Sequence, residues 1–103
     1  MADPRLSHQA LRILRVLLDH SQLEGLAGSD IAKQTSLLSG SMYPCLARLE
    51  GAGWLKSQWE KVSPQEVGRP RKRLYRLTSI GYRKANDALS QLTVPNKEAQ
   101  WTS

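Results

Sequence analysis

The sequence predicts a small α+β domain that is mostly helical. Helical spacing of apolar residues recurs through the first half of the chain, two later segments alternate apolar and polar residues, and a final helical pattern follows. At 103 residues the chain has the length of one domain, with room for three or four helices and a hairpin. We therefore expect a three-helix core, a two-stranded hairpin and a C-terminal helix.

The first helix is predicted from a serine cap and a one-sided apolar face. Ser7 can cap a helix that runs to about His20, with apolar residues on one side at about 100° per residue. Val16 lies at the edge of the polar side, where it can contact a second subunit. The loop that follows has room for a short strand at Leu26-Ala27.

The second helix and the turn after it are predicted from short signals. Ser29 is expected to cap a short helix that ends near Thr35. Leu37 and Leu38 are expected to form a buried turn before the third helix.

The third helix, over about residues 39–52, combines an apolar face with a small, flat face. Its cap is Ser39 or Ser41, and Gly53 fits the left-handed residue after its end. The apolar face comprises Met42, Cys45, Leu46, Leu49 and Ala52. The opposite face comprises Tyr43, Pro44, Ala47, Arg48 and Gly51. Because a helix that lies deep in a groove about 12 Å wide cannot carry bulky outward side chains, this second face fits the major groove of DNA.

Two alternating segments, residues 54–61 and 73–78, predict a β-hairpin. The connection between them, residues 62–72, contains two prolines and a glycine and is expected to be a loop. Trp54 and Trp59 are assigned to core or hairpin packing rather than to a platform for a ligand.

A last helix is expected over residues 79–92, after a cap at Thr78. Its apolar stripe comprises Ala85, Ala88, Leu89 and Leu92. Val94-Pro95 is expected to end the helix, because proline cannot continue the hydrogen-bond pattern. The domain would then occupy residues 1–92 and residues 93–103 would form a flexible tail.

The net charge of +6 lies entirely in one part of the chain. Residues 1–60 carry six basic and six acidic side chains, residues 61–92 carry eight basic and two acidic ones, and residues 93–103 are balanced. The centre of this excess is the run Gly68-Arg69-Pro70-Arg71-Lys72-Arg73. Such runs are usually only solvated, but a localised patch in a hairpin with few adjacent acids favours a polyanionic partner.

Several classes of protein are disfavoured by what the sequence lacks. The single cysteine, Cys45, cannot form an intrachain disulfide and is expected to be a small core residue. His8 and His20 have no spaced ligand partners, so we expect no metal, no cofactor and no catalytic site. No long apolar run predicts a membrane span, and residues 1–5 lack a signal-peptide pattern, so a cytoplasmic location is expected.

The order of helix, short helix, turn, helix, strand, basic loop, strand and helix is that of a winged helix-turn-helix. On these elements the chain resembles the PadR family of bacterial transcriptional regulators. The matching segments are residues 28–33, 40–55 and 68–78, with Gly81 following. Together the Tyr-Pro, Leu-Glu-x-x-Gly and Arg-Leu-Thr-x-x-Gly elements are specific to that family, and the resemblance covers roughly residues 9–92. Family members usually carry a longer C-terminal dimerisation region than the single helix predicted here.

The resemblance implies a homodimeric, nucleoid-associated regulator, expected to be a repressor, that reads a pseudo-palindromic operator in double-stranded DNA. The residues assigned to DNA contact are Ser39, Ser41, Tyr43, Pro44, Ala47, Arg48, Arg69, Arg71, Lys72 and Arg73. Those assigned to the dimer are Leu11, Val16, Ala85, Ala88, Leu89 and Leu92. Whether a small-molecule effector exists is left open.

Alternatives stay open for single residues and for the whole domain. Tyr43 can instead be a partly buried core aromatic, and Arg48 can instead pair with Glu50. The domain can instead be a protein-interaction module whose basic loop binds an acidic protein surface. The small outward face of the third helix argues against that, because protein hot spots favour large aromatic residues and arginine. A plasmid or phage architectural or replication factor would use the same DNA-binding domain.

Overall fold

The structure is a computed structural model that describes residues 6–21 and 24–102, with side chains described up to Gln91. The N-terminal half holds helix α1 (His8–Asp19), strand β1 (Leu26–Ala27), helix α2 (Gly28–Thr35) and helix α3 (Ser39–Gly51). The C-terminal half holds strand β2 (Leu55–Trp59), helix α4 (Pro64–Val67), strand β3 (Arg73–Leu77) and helix α5 (Ser79–Thr102). This mostly helical α+β architecture is the winged helix-turn-helix that the sequence predicts.

The strands form one antiparallel sheet in the order β1-β3-β2. Leu55 lies opposite Leu77 at one end of the β2–β3 pair, and Trp59 lies opposite Arg73 at the other. The short strand β1 pairs with the free edge of β3, with Leu26 opposite Tyr75. We call β2, β3 and the connecting residues 60–72 the wing. The wing is part of a three-stranded sheet, and β1 connects it to the helical half of the molecule.

The hydrophobic core lies between α1, α3 and the inner face of the sheet. The predicted apolar faces of the first and third helices are confirmed, with Cys45 and Trp54 among the buried residues. The core residues are Ala10, Ile13, Leu14, Leu17, Leu26, Ile31, Met42, Cys45, Leu46, Leu49, Trp54, Leu55, Tyr75 and Ala85. Trp59 does not join them, because it is the last residue of β2, lies opposite Arg73 and is 56% exposed.

One of the predicted serine caps on the first three helices is confirmed. The Ser7 hydroxyl accepts a hydrogen bond from the N–H of Ala10 at 3.1 Å and caps α1. Helix α2 instead begins after Ala27, whose extended backbone is set by pairing in the sheet, so Ser29 lies inside the first turn. Helix α3 begins after Leu38, whose carbonyl accepts the first helical hydrogen bonds, so the predicted caps at residues 39 and 41 are wrong.

The predicted loop over residues 62–72 contains the short helix α4. Pro64 opens this helix and Gly68 closes it with a positive φ of 69°. Both residues are also common in loops, so their presence alone could not distinguish the two structures.

Helix α5 is tied to the end of α3 through Thr78. The Thr78 hydroxyl accepts a hydrogen bond from the N–H of Gly81 at 3.0 Å, which confirms the predicted cap, and donates one to the Gly53 carbonyl at 2.6 Å. The Thr78 N–H also donates to the Trp54 carbonyl at 3.0 Å. A side chain at Gly81 would overlap that same carbonyl, so glycine permits this close crossing. We call this arrangement the Thr78 latch.

Helix α5 continues past Val94-Pro95, where the sequence predicted its end. A proline removes one helical hydrogen bond, but the backbone beyond it can resume helical geometry. The division into a domain over residues 1–92 and a tail over residues 93–103 stays a prediction. The side chains of Leu92 and Trp101 lie outside the described part of the chain.

Candidate nucleic-acid interface

The turn between α2 and α3 is held by hydrogen bonds at the end of α2. The guanidinium of Arg12 donates to the Thr35 carbonyl at 3.1 Å. The buried hydroxyl of Thr35 donates to the Ile31 carbonyl at 2.7 Å. These contacts hold the end of α2, and the buried face of α3 determines which of its side chains face outward.

The outward face of α3 matches the predicted small, flat surface. Pro44, Ala47, Arg48 and Gly51 are all exposed. In the first turn Ser39 is exposed and Ser41 is half-buried, and neither lies at the position that caps the helix. A row of small residues therefore runs along the middle of α3, with polar side chains beside it.

Tyr43 lies at the edge of this face and is 45% exposed, so it is not a core aromatic. Its ring covers the start of α2, where a Cβ on Gly28 would come within 2.5 Å of the Tyr43 hydroxyl oxygen. The absence of a side chain at position 28 thus lets the ring lie against α2 while part of it stays open to solvent.

Arg48 and Glu50 do not form the ion pair considered as an alternative. Arg48 is exposed and has no acidic partner within 4.0 Å among the described residues. Glu50 instead accepts a hydrogen bond from the hydroxyl of Ser57 at 2.6 Å. Ser57 accepts in turn from Nε of Arg73 at 3.0 Å, so a hydrogen-bonded chain connects α3 to the wing.

Arg69 in the wing is paired with Glu60, just after the end of β2. Its Nη1 and Nη2 donate to the two carboxylate oxygens at 2.7 and 3.2 Å. The N–H of Lys72 donates to the same carboxylate at 2.9 Å. The hydrogen bond from Arg69, and to a smaller extent that from the Lys72 N–H, lowers the pKa of Glu60 from 4.5 to about 2. Glu60 was not among the predicted site residues, because it lies outside the basic run in sequence and contacts that run only when the hairpin has formed.

The remaining wing cations are also oriented by the hairpin. Nε of Arg71 donates to the Val62 carbonyl at 2.8 Å. The guanidinium of Arg73 lies 5.2 Å from the centre of the Trp59 ring, within the range of a cation–π contact. Trp59 therefore packs within the hairpin, as predicted, but on its exposed surface.

The start of α2, helix α3 and the wing meet at a cavity of about 140 Å³. It is lined by Ala27, Gly28, Ser29, Tyr43, Lys72, Arg73 and Tyr75. Tyr75 lies at the buried side, and burial raises the pKa of its hydroxyl. The cavity thus gathers two cationic side chains and several hydroxyl groups between α2, α3 and β3.

Two further cations extend the basic surface and were missed from the predicted site. Lys56 and Arg76 lie opposite each other on β2 and β3, and both are exposed. Their alternation with buried Leu55 and Tyr75 was visible in the sequence, so the outward face of the hairpin could have indicated them.

The residues assigned to the dimer divide into two groups. Leu11, Val16 and Leu89 line a groove of about 430 Å³ beside α1 and α5, and Ala88 is half-buried nearby in sequence. Ala85 is fully buried in the core of the protomer, so its assignment to the dimer is corrected. Its position in the helical repeat places it toward α1 rather than toward a second subunit. Leu92 falls outside the described side chains.

Within the described residues, no group of histidine, cysteine or acidic side chains could hold a metal ion. Across the same ranges, none of the helices is long and apolar enough to cross a membrane.

The fold and its surface define a class of protein. It is a winged helix-turn-helix in which the small outward face of α3 lies beside a basic wing. A family model described as the transcriptional regulator PadR-like family matches residues 14–87. The chain therefore belongs to the PadR-like family of transcriptional regulators, which confirms the family predicted from the sequence and the expectation that the protein is not an enzyme.

Solved structures agree with the fold. A PadR family transcription regulator from Clostridium difficile R20291 has a TM-score of 0.74 at 24% identity, covering 94% of this chain and 100% of that one. A PadR-like transcription factor from Bacteroides fragilis has a TM-score of 0.69 at 20% identity, covering 91% and 88%.

Another structural neighbour is a mutant of MepR from Staphylococcus aureus, solved bound to an oligodeoxyribonucleotide. Its TM-score is 0.73 at 18% identity, covering 95% of this chain and 65% of that one. The chain thus spans less than two thirds of the MepR chain. No curated protein matches the sequence.

Proposed function

We propose that the protein is a homodimeric repressor that binds a pseudo-palindromic operator in double-stranded DNA. Helix α3 enters the major groove, and the wing contacts the adjacent backbone or minor groove. The observation that carries this proposal is that the small outward face of α3 lies beside the basic wing, connected to it through Glu50, Ser57 and Arg73. The proposed site of action is the bacterial cytoplasm, at the nucleoid.

The proposed specificity lies on α3. Pro44 and Ala47 keep the middle of the helix narrow enough to approach base edges, while Tyr43 and Arg48 flank it with one hydroxyl and one cation. Ser39 and Ser41 lie in the first turn, where hydroxyls and free N–H groups can bind a phosphate.

The proposed backbone contacts lie on the wing. The side chains of Arg71 and Arg73 are held by hydrogen bonds within the hairpin, with Lys72 between them, and each phosphate contact adds about −0.9 to the salt slope of binding. Arg69 belongs to the same surface, but its charge is already balanced by Glu60. We therefore assign Arg69 a smaller share of the salt dependence than Arg71.

The proposed dimer forms through α1 and α5. Leu11, Val16 and Leu89 offer half-buried apolar surface around one groove, with half-buried Ala88 next to Leu89 in sequence, and a second copy related by a two-fold axis would cover this surface. Two recognition helices would then lie about one helical turn of DNA apart. Occupation of the operator would block a promoter, and an effector would act by changing the distance between the two helices.

Selection of bound sequences from a random duplex pool tests the function. An enriched inverted repeat is expected, together with a solution mass near twice the 11.5 kDa of one chain by light scattering. Binding without any enriched sequence would instead indicate an architectural factor, and no DNA binding would favour the protein-interaction module. A monomeric mass on the selected operator would contradict the dimer.

A further inference from the structure

Leu38 is the most exposed large apolar side chain in the described part of the chain, at 79%. The sequence predicted a buried turn at Leu37 and Leu38. Only Leu37 packs against the core, whereas Leu38 extends into solvent. The next most exposed large apolar side chain is Trp59, at 56%, and it already contacts Arg73.

The backbone holds Leu38 firmly at the leading end of α3. Its carbonyl accepts hydrogen bonds from the N–H groups of Ser41 at 3.0 Å and Met42 at 2.9 Å. Its extended backbone, with φ −74° and ψ 146°, is that of a residue at the start of a helix. Leu38 is therefore an apolar side chain on a fixed support rather than part of a mobile loop.

The surroundings of Leu38 leave it accessible to a large partner. Ser39 and Gly40 are exposed, and a Cβ added at Gly40 would meet no atom within 4 Å. The same end of α3 carries no acidic residue in its first turn, so no carboxylate there repels a polyanion. An apolar side chain in this position is suited to an apolar group on an otherwise anionic ligand.

Resting on the proposed function, we propose that Leu38 contacts the C5-methyl group of a thymine and selects thymine at one position of each operator half-site. The N-terminal residues of a recognition helix meet base edges in the major groove. The thymine methyl is the apolar group displayed there, whereas the other base edges present hydrogen-bonding atoms that leucine cannot satisfy. Leu38 therefore supplies specificity through apolar contact, separately from the hydroxyl of Tyr43 and the charge of Arg48.

The test begins with the operator selected by the wild-type protein. Each thymine is replaced by deoxyuridine at symmetric positions, which removes only the methyl group. At one position we expect wild-type affinity to fall about fourfold per half-site, the factor for one buried methyl group. For the Leu38→Ala variant, replacing thymine by deoxyuridine at that position should leave the affinity unchanged. The matched control Ile80→Ala, at an exposed site on α5, should keep the wild-type ratio of the affinities for the thymine and deoxyuridine operators.

Each outcome bears on a different claim. If the inverted repeat is enriched but no methyl removal changes binding, the Leu38 inference is overturned and the proposed function stands. The inference is also overturned if Leu38→Ala still binds the thymine operator more tightly than the deoxyuridine operator by the wild-type factor. If Leu38→Ala converts the dimer to a monomer, the side chain contacts a second copy instead of DNA. If no sequence is enriched, both the operator and its thymine contact are rejected.

Discussion

Helix α3 and the wing carry opposite kinds of surface. The outward side chains of α3 are mostly small, and Arg48 has no acidic partner within the described residues. The wing cations instead have protein partners already, with Arg69 on Glu60, Arg71 on Val62 and Arg73 on Ser57 and Trp59. In the proposed complex, α3 would offer a small surface for new contacts with DNA, whereas the wing cations would have to share or exchange the hydrogen bonds that they already make within the protein.

The largest effect should come from placing a negative charge in the middle of α3. Ala47→Glu should weaken operator binding more than about 100-fold, because like charges forced together across an interface cost several kcal/mol. Gel-shift titration measures the loss, and circular dichroism checks that the fold persists. The control Asn86→Asp adds the same charge on α5 and should have little effect. Equal losses in both variants would reject the groove assignment of α3.

Removal of the Tyr43 side chain should give the next largest effect. Tyr43→Ala should weaken operator binding about tenfold, in line with loss of one hydrogen bond to a charged or base acceptor. Binding to random duplex should fall less, because base contacts carry sequence information and phosphate contacts do not. Competition assays with both duplexes measure the difference, and equal losses would mean that Tyr43 touches only the backbone.

Substitutions in the wing should change salt dependence more than specificity. Arg71→Gln should make the salt slope shallower by about 0.9 per subunit, and Arg69→Gln should change it less because Glu60 already balances that charge. The double change Arg69→Ala with Arg71→Ala should weaken binding to all DNA and flatten the slope. Titrations over a range of salt concentrations measure this, and an unchanged slope in the double variant would reject the wing assignment.

The smallest effect should be on acid stability. The pKa of Glu60 is lowered from 4.5 to about 2 in the folded protein, so its carboxylate contributes stability above about pH 4.5 that is lost as pH falls toward 2. Glu60→Gln should therefore unfold at a slightly lower temperature than wild type at pH 7, and this gap should close near pH 2. Thermal unfolding followed by circular dichroism at both pH values measures it; a gap that persists at low pH would mean that the Arg69 pair is not its cause.

The sequence predicted the elements that depend on local pattern. The apolar faces of α1 and α3, the cap at Ser7, the hairpin and the left-handed Gly53 all follow from spacing or from a single residue type. The caps at α2 and α3 were wrong because sheet pairing at Ala27 and the backbone at Leu38 decided where those helices begin.

Contacts between distant segments could not be predicted in the same way. Glu60 and Arg69 meet only when β2 and β3 are paired, and Ser57 connects α3 to the wing only in the folded sheet. Ala85 shares the apolar stripe of α5 with Leu89, but the stripe alone cannot show which member packs inside the protomer. The positions of the charged residues could be predicted from the sequence, whereas the partner of each charged side chain could be identified only from the folded structure.

The Thr78 latch has a mechanical consequence for any protein built from two such chains. One threonine bonds both to Gly53 and Trp54, just after the end of α3, and to the first turn of α5, so the end of one helix and the start of the other are held together at this point. In the proposed dimer, the separation between the two copies of α3 would then depend on the angle at which the two copies of α5 cross. If the same domain were fused to a pair of helices that cross at another angle, the resulting dimer should bind the same half-sites at a different spacing.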